Sequence, residues 1–250
     1  LGIIMKACTN PKLNMAMFSA TYANDVEQWC KLNITDLVQV TIGQRNVAVD
    51  SVEQKLIYAG NEEGKMIGLR NLFFEGLQSP ILIFVQTKQR AADLFKELLY
   101  DGYMVASIHS NLTQSQRDKV MDAFESGKIW VLICTDLFGR GLDFKEIRVV
   151  INYDLPDSAV TYIHRIGRTG RAGEKGKAFT FFTDSDIPRM RSIANVVKQS
   201  GAFVPDYLLR IKKLSKASER KVFRKARATD KILKQKREKR RRTRKARSNK

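Results

Sequence analysis

Residues 129–143 read Ile129-Trp130-Val131-Leu132-Ile133-Cys134-Thr135-Asp136-Leu137-Phe138-Gly139-Arg140-Gly141-Leu142-Asp143. A short continuous apolar run without polar alternation is what a strand buried on both faces requires. It stops abruptly at Thr135-Asp136, and the glycines that follow let the backbone approach a ligand. In a parallel sheet ligands bind beyond the carboxyl ends of strands, so Thr135, Asp136, Gly141 and Asp143 fall where a site belongs. Asp143 suits hydrogen bonds from ribose hydroxyls; Asp136 equally suits capping a short following helix.

The same pattern recurs along the chain. Val52–Ala59, Ile81–Gln86, Met104–Ile108, Ile129–Thr135, Val149–Tyr153 and Ala178–Thr183 are apolar runs rich in branched residues. Between them lie helical faces: Met66, Ile67, Leu69, Leu72 and Phe73; then Ala91, Leu94, Phe95 and Leu98; then Val120, Met121 and Phe124. Thr87 and Thr113 are placed to cap helices, Gly102 and Gly127 to close them, and Pro80 and Pro156 punctuate loops. Buried strands alternating with amphipathic helices predict an α/β fold, a doubly wound parallel sheet covered on both sides, over residues 51–201.

Leu13–Phe18 and Leu37–Ile42 read as two strands flanking a short helix through Val26 and Trp29. Two strands and a helix are too few for a core, so residues 1–42 are expected to be the end of a second domain, joined by a polar linker at residues 43–50. The start at Leu1 rather than Met fits a fragment.

Charge divides the chain sharply. The net charge of the 250 residues is +19, of which Ile211–Lys250 carries +17 from 20 Lys or Arg against 3 acidic residues. Residues 202–250 are therefore expected to form a basic tail, disordered or helical. Such a polycation binds nucleic acid by counterion release, and it also suits a nuclear import signal. No apolar stretch reaches the roughly 18 residues of a membrane span, so no membrane partner is expected. Cys8, Cys30 and Cys134 have no paired spacing, and with only His109 and His164 beside them no zinc site is outlined; a reducing compartment and no metal ligands follow.

The second informative segment is Tyr162-Ile163-His164-Arg165-Ile166-Gly167-Arg168-Thr169-Gly170-Arg171. Three arginines near two glycines place guanidinium groups on a tight turn within reach of a polyphosphate. Arginine stays charged, meets phosphate oxygens with a planar fork and stabilises negative charge that builds during phosphoryl transfer. An Arg-rich surface turn without a ligand has the same local sequence.

Together these segments resemble motifs V and VI of the DEAD-box ATP-dependent RNA helicases. Ser19-Ala20-Thr21 resembles the family's Ser-Ala-Thr motif, Ile83-Phe84-Val85 with Thr87 resembles motif IV, and Gln114-Ser115-Gln116-Arg117 resembles the Gln-x-x-Arg motif. The ordered set over Ser19–Arg171 is far more specific than any member. The wording Gly127–Thr135 further resembles the subfamily that works in small-ribosomal-subunit assembly. The resemblance implies a RecA-like helicase C-terminal domain preceded by the end of a first RecA-like, ATP-binding domain. It implies that Arg168 and Arg171 are catalytic arginine fingers on the γ-phosphate, with Gly141 and Asp143 also holding ATP. Thr87, Gln114, Arg117, Thr135 and Asp136 would bind the sugar-phosphate backbone of RNA, largely independently of base sequence. Ser19, Thr21 and His164 would couple the domains. Pre-rRNA and ribosome-assembly proteins follow as partners, the nucleus and nucleolus as location, and a monomer as the state.

Two residues depart from the family pattern: Ser110 follows His109 where Gly is usual, and Gly139 replaces Ala or Ser. Neither Gly-x-x-x-x-Gly-Lys-Thr/Ser nor Asp-Glu-Ala-Asp occurs. Gly60-Asn61-Glu62-Glu63-Gly64-Lys65 is one residue short between its glycines and carries carboxylates. The Mg²⁺ ligands for ATP are therefore expected in the missing amino-terminal part, and the chain alone is expected to bind RNA without hydrolysing ATP. A non-catalytic RNA-binding or regulatory fragment is the alternative function; a basic nucleosomal or ribosomal structural protein would not need the ordered motifs. Retained finger arginines favour the enzyme.

Overall fold

A computed structural model describes residues 2–10, 14–19, 24–41, 51–136, 147–171 and 173–211. The chain forms two compact units, Leu1–Asn46 and Val47–Lys250.

In the first unit the described residues form helices α1 (Gly2–Ala7) and α2 (Asn24–Asn33). The expected helix through Val26 and Trp29 is present. The two expected strands are not seen in their described parts: residues 14–19 and 37–41 are in neither helix nor strand, while Leu13 and Ile42 lie outside the described residues. A strand is stable only when a neighbour takes its backbone hydrogen bonds, and among the described residues this unit has no strand to offer. Phe18, Val38 and Val40 stay exposed.

The second unit alternates strands and helices: β1 (Val52–Gly60), α3 (Glu62–Phe74), β2 (Ile81–Phe84), α4 (Lys88–Tyr100), β3 (Val105–Ile108), α5 (Gln114–Glu125), β4 (Val131–Cys134), β5 (Val149–Asn152), α6 (Ala159–Ile166), β6 (Gly176–Thr183), α7 (Met190–Gln199) and α8 (Asp206–Arg210). All six strands are parallel, in the order β1-β6-β5-β2-β4-β3. Alternate residues face opposite layers. Ile81, Ile83, Val131, Ile133, Val149 and Ile151 meet Leu69 and Leu72 of α3 and Leu94 and Leu98 of α4. Leu82, Phe84, Leu132 and Val150 pack with Phe124 of α5, while Ala178 and Phe182 pack with α6 and α7.

Thr87 and Thr113 do cap α4 and α5, and Gly102 and Gly127 take positive φ just past those helices. Two expectations need correction. Ile67 stands 60% exposed rather than on the buried face of α3, because Gly68 and Leu69 are the residues that meet the sheet there. The core also runs past Gly201: Val204 and Leu208 are buried against Met190 and Ile193, so α8 belongs to this unit. The rest of the expected tail, residues 212–250, lies outside the described residues.

Candidate nucleic-acid and nucleotide site

Strands β2, β4 and β3 are adjacent and parallel, so their carboxyl ends share one edge. That edge brings together Thr87 after β2, Gln114 and Arg117 at the start of α5 after β3, and Thr135 and Asp136 after β4. Thr87 is exposed, and its Oγ1 accepts from the Arg90 amide at 3.2 Å. Its own hydroxyl proton stays available to a ligand. On α5 the Thr113–Gln116 capping box occupies Gln116, whereas Gln114 and Arg117 share a face, the Arg117 Nη1 donating to Gln114 Oε1 at 3.3 Å. The two loops are tied by Lys88 Nζ, which donates to Asn111 Oδ1 at 3.0 Å. Thr135 is buried.

Asp136 is engaged within the protein. Arg165, 2% exposed, donates to it from Nε at 2.6 Å and from Nη2 at 2.8 Å. The same guanidinium donates from Nη1 to the Asp154 carbonyl at 2.8 Å and to Asn152 Oδ1 at 3.3 Å, and lies over the Phe84 ring. Side chains of a helix lean toward its amino terminus. α6 begins at the carboxyl edge, capped by Ser158, so Arg165 near its far end reaches back to that edge.

Asp154 is the other junction, and no motif in the chain marks it. Its buried carboxylate accepts from the Gln86 amide at 2.9 Å, from Arg90 Nε at 2.6 Å and from Lys65 Nζ at 3.3 Å, with Arg90 Nη2 also paired to it. Glu62 completes the set, bound to Lys65 at 2.8 Å and to Arg90. Burial alone would push the Asp154 carboxyl up; Arg90 and Lys65 outweigh it and hold the group well below the usual carboxylate range. Burial likewise works against the charged Lys65, but Asp154 and Glu62 raise it above its ordinary value. Lys65, in the segment that mimics a phosphate loop, is thus an ion-paired buried cation. The glycine before it serves packing, since a Cβ on Gly64 would lie 1.9 Å from the Ala59 carbonyl oxygen.

The arginine turn lies elsewhere. α6 runs against the strands, and the chain beyond it is fastened at the amino edge of the sheet: Thr169 Oγ1 donates to the Ile147 carbonyl at 2.6 Å, and Ser51 Oγ donates to the Gly170 carbonyl at 2.7 Å. Gly170 has φ +68°, and a Cβ there would meet Val52 at 2.6 Å. The fixed turn presents Arg171, exposed, and Arg168, half-buried; their Nε groups donate to the Gly167 and His164 carbonyls at 2.8 and 3.3 Å. His164 is half-buried on the last turn of α6. A polyphosphate fits this donor set, two forked cations on a held turn. Of the remaining expected residues, Ser19 belongs to the first unit. Thr21, Gly141 and Asp143 lie outside the described residues. Among those described, no group of three or more His, Cys, Asp or Glu is arranged to hold a metal. No helix among them is long and apolar enough to cross a membrane.

A six-stranded, all-parallel sheet with helices packed on both faces defines an α/β domain of the RecA-like kind. Residues 64–173 match the helicase conserved C-terminal domain family. The chain is 54% identical over 225 residues to "Probable ATP-dependent RNA helicase DDX52" of Mus musculus, covering 90% of this chain and 38% of that one. It is similar to S. cerevisiae Dbp5 bound to RNA and ADP BeF3, with a TM-score of 0.68, 30% identity, and coverage of 89% of this chain and 57% of that one. It is also similar to the C-terminal domain of the DEAD-box protein Dbp5, with a TM-score of 0.55, 36% identity, and coverage of 61% and 87%. The chain belongs to the DEAD-box RNA helicase family, as a part carrying its C-terminal domain. It spans well under half the length of the mouse relative.

Proposed function

We propose that this chain is the second lobe of an ATP-dependent RNA helicase that locally unwinds or remodels RNA duplexes in rRNA processing and small-subunit ribosome assembly. The observation that carries the proposal is the separation of two sites within one sheet. Backbone-binding residues crowd the carboxyl ends of β2, β4 and β3, while Arg168 and Arg171 stand on a turn fastened at the amino edge. A motor that couples RNA to nucleotide needs both, on one rigid body. Residues 1–42 would be the end of the ATP-binding lobe and residues 43–50 the linker.

Thr87, Gln114, Arg117, Thr135 and Asp136 hold the sugar-phosphate backbone, so binding is largely indifferent to base sequence. Arg168 and Arg171 take the γ-phosphate and Gly141 and Asp143 the ribose; Ser19, Thr21 and His164 link the lobes. ATP with Mg²⁺ supplies the cleavable phosphoanhydride, and its metal ligands and phosphate loop come from the other lobe. The chain alone therefore binds RNA without turnover; EDTA-sensitive ATP hydrolysis by it would contradict this. The nucleolus, pre-rRNA and assembly proteins follow from the subfamily resemblance.

In a helicase carrying both lobes, Arg168→Ala or Arg171→Ala is expected to cut hydrolysis by roughly 10³-fold or more, with nucleotide-free RNA affinity nearly unchanged. Arg117→Ala is expected to weaken RNA binding and RNA-stimulated turnover. Finger variants with normal turnover, beside an Arg117→Ala variant lacking basal hydrolysis, would reverse the assignments.

A further inference from the structure

We infer that the ion-paired quartet of buried Lys65 and Asp154 with half-buried Glu62 and Arg90 is a positioning device that sets the Gln86-Thr87 loop for RNA, with Arg90 as its adjustable member. The inference rests on the RNA-binding role proposed for the edge formed by β2, β4 and β3.

The loop has few ways to move. Val85 donates its amide to the Cys134 carbonyl at 3.0 Å, Gln86 its amide to Asp154 at 2.9 Å, and Gln86 Nε2 reaches the Leu155 carbonyl at 3.2 Å. Thr87 then caps α4 through the amide of Arg90, and the side chain of the same Arg90 grips Asp154 with both Nε and Nη2. Arg90 thus closes a ring: its amide fixes the Thr87 hydroxyl and its guanidinium fixes the carboxylate that holds the Gln86 amide. Asp154 does not float, because its carbonyl is bound by Arg165, which is bound in turn to Asp136. Through this chain Thr87 and Asp136, both placed on RNA, are held in one frame.

Energetics argue for position over stability. The quartet is neutral as a set, and Lys65 and Asp154 keep only 4% of their side-chain surface. Well-packed apolar residues serve stability as well as a buried ion-pair network does, so such a network directly beneath a binding loop is accounted for by the geometry it imposes. Arg90 is itself neutralised by two carboxylates and is spent on them, so it holds the phosphate contact without making it.

The test measures affinity for a fluorescent single-stranded RNA, with a non-hydrolysable ATP analogue, in a helicase carrying both lobes. Arg90→Leu is expected to raise Kd by about tenfold, the loss of roughly one charge-assisted hydrogen bond's worth of placement. The slope of log affinity against log salt should not change, because no phosphate contact is removed. Arg90→Lys keeps charge but not the fork, and should restore part of the affinity; if Arg90→Leu does not fold, an intermediate loss in Arg90→Lys decides alone. A slope reduced by about 0.7, one single-strand phosphate, would make Arg90 a direct contact and overturn the inference. So would unchanged affinity in a folded variant. Arg117→Ala in parallel separates the two ideas: if it too leaves affinity unchanged, the RNA assignment of the edge fails. If it weakens binding while Arg90→Leu does not, only the positioning role fails.

Discussion

The Asp154 carboxylate joins Lys65, the Gln86 amide and Arg90, and it does so as a charge. Its carboxyl is held below the usual range in the folded chain, despite burial, by Arg90 and Lys65. A depressed carboxyl contributes stability that is fully present above its unfolded value of about 4 and is lost as pH falls below that through the lower folded value. Asp154→Asn should therefore destabilise the domain at neutral pH by about 3–5 kcal/mol, the cost of leaving buried cations short of their partner. The gap between wild type and variant should narrow as pH falls below about 4. Denaturant unfolding at several pH values checks this, and a gap independent of pH would mean the loss comes from shape rather than charge. Thr87, Gln114, Arg117, Arg168 and Arg171 can be named from sequence because their types and order match the family's motifs. Asp154, Arg90 and Lys65 cannot. They are 64 and 89 residues apart along the chain from Asp154, and only the pairing of β2 with β5 makes them neighbours. Arg165 lies within the arginine segment, yet nothing in that sequence distinguishes its burial against Asp136 from the exposure of Arg171.

Elements were read more surely than ends. Branched apolar runs located all six strands because a sheet covered on both faces needs uninterrupted hydrophobic side chains, and the second unit supplies the helices that cover it. The same signal misleads at residues 14–18 and 37–41, where apolar content is present but, among the described residues, a pairing neighbour is not. Register with a partner is a property of the sheet, not of the strand. The membership of α8 in the domain is hidden for the opposite reason: five residues are too few to show a period, although Val204 and Leu208 are buried in the core and Ala202, Leu209 and Ile211 pack against it. Among the elements, α6 links the two edges of the sheet, since Ser158 starts it beside one and the Thr169 turn ends it beside the other. The Ser158 hydroxyl accepts from the Thr161 amide at 3.0 Å. Ser158→Ala should cost about 1 kcal/mol of stability. In an eight-residue helix the first turn is a large share of the whole. Thermal unfolding measures that loss, and a melting temperature equal to wild type would show the cap to be dispensable.

At the scale of the whole chain, charge and structure are laid out separately. Leu1–Arg210 carries only +2, so any hold it has on a polyanion depends on where individual polar groups stand rather than on a general field. Ile211–Lys250 carries +17 with 3 acidic residues among its basic ones. Its attraction for a polyanion needs no particular geometry, and each phosphate it neutralises releases condensed counterions. The two parts should therefore separate in their response to salt. Deleting residues 212–250 is expected to weaken binding to single-stranded RNA and flatten the dependence of log affinity on log salt. The domain's melting temperature should stay put, because its core closes at Val204 and Leu208. If about a dozen phosphates are neutralised, the undeleted chain should lose several decades of affinity between about 50 and 200 mM salt. The truncated chain should lose far less, and its remaining affinity should still fall with Arg117→Ala. Anisotropy titrations across that salt range measure both slopes. Equal slopes with and without residues 212–250 would remove the segment from RNA binding and leave nuclear import or an acidic protein partner as its use.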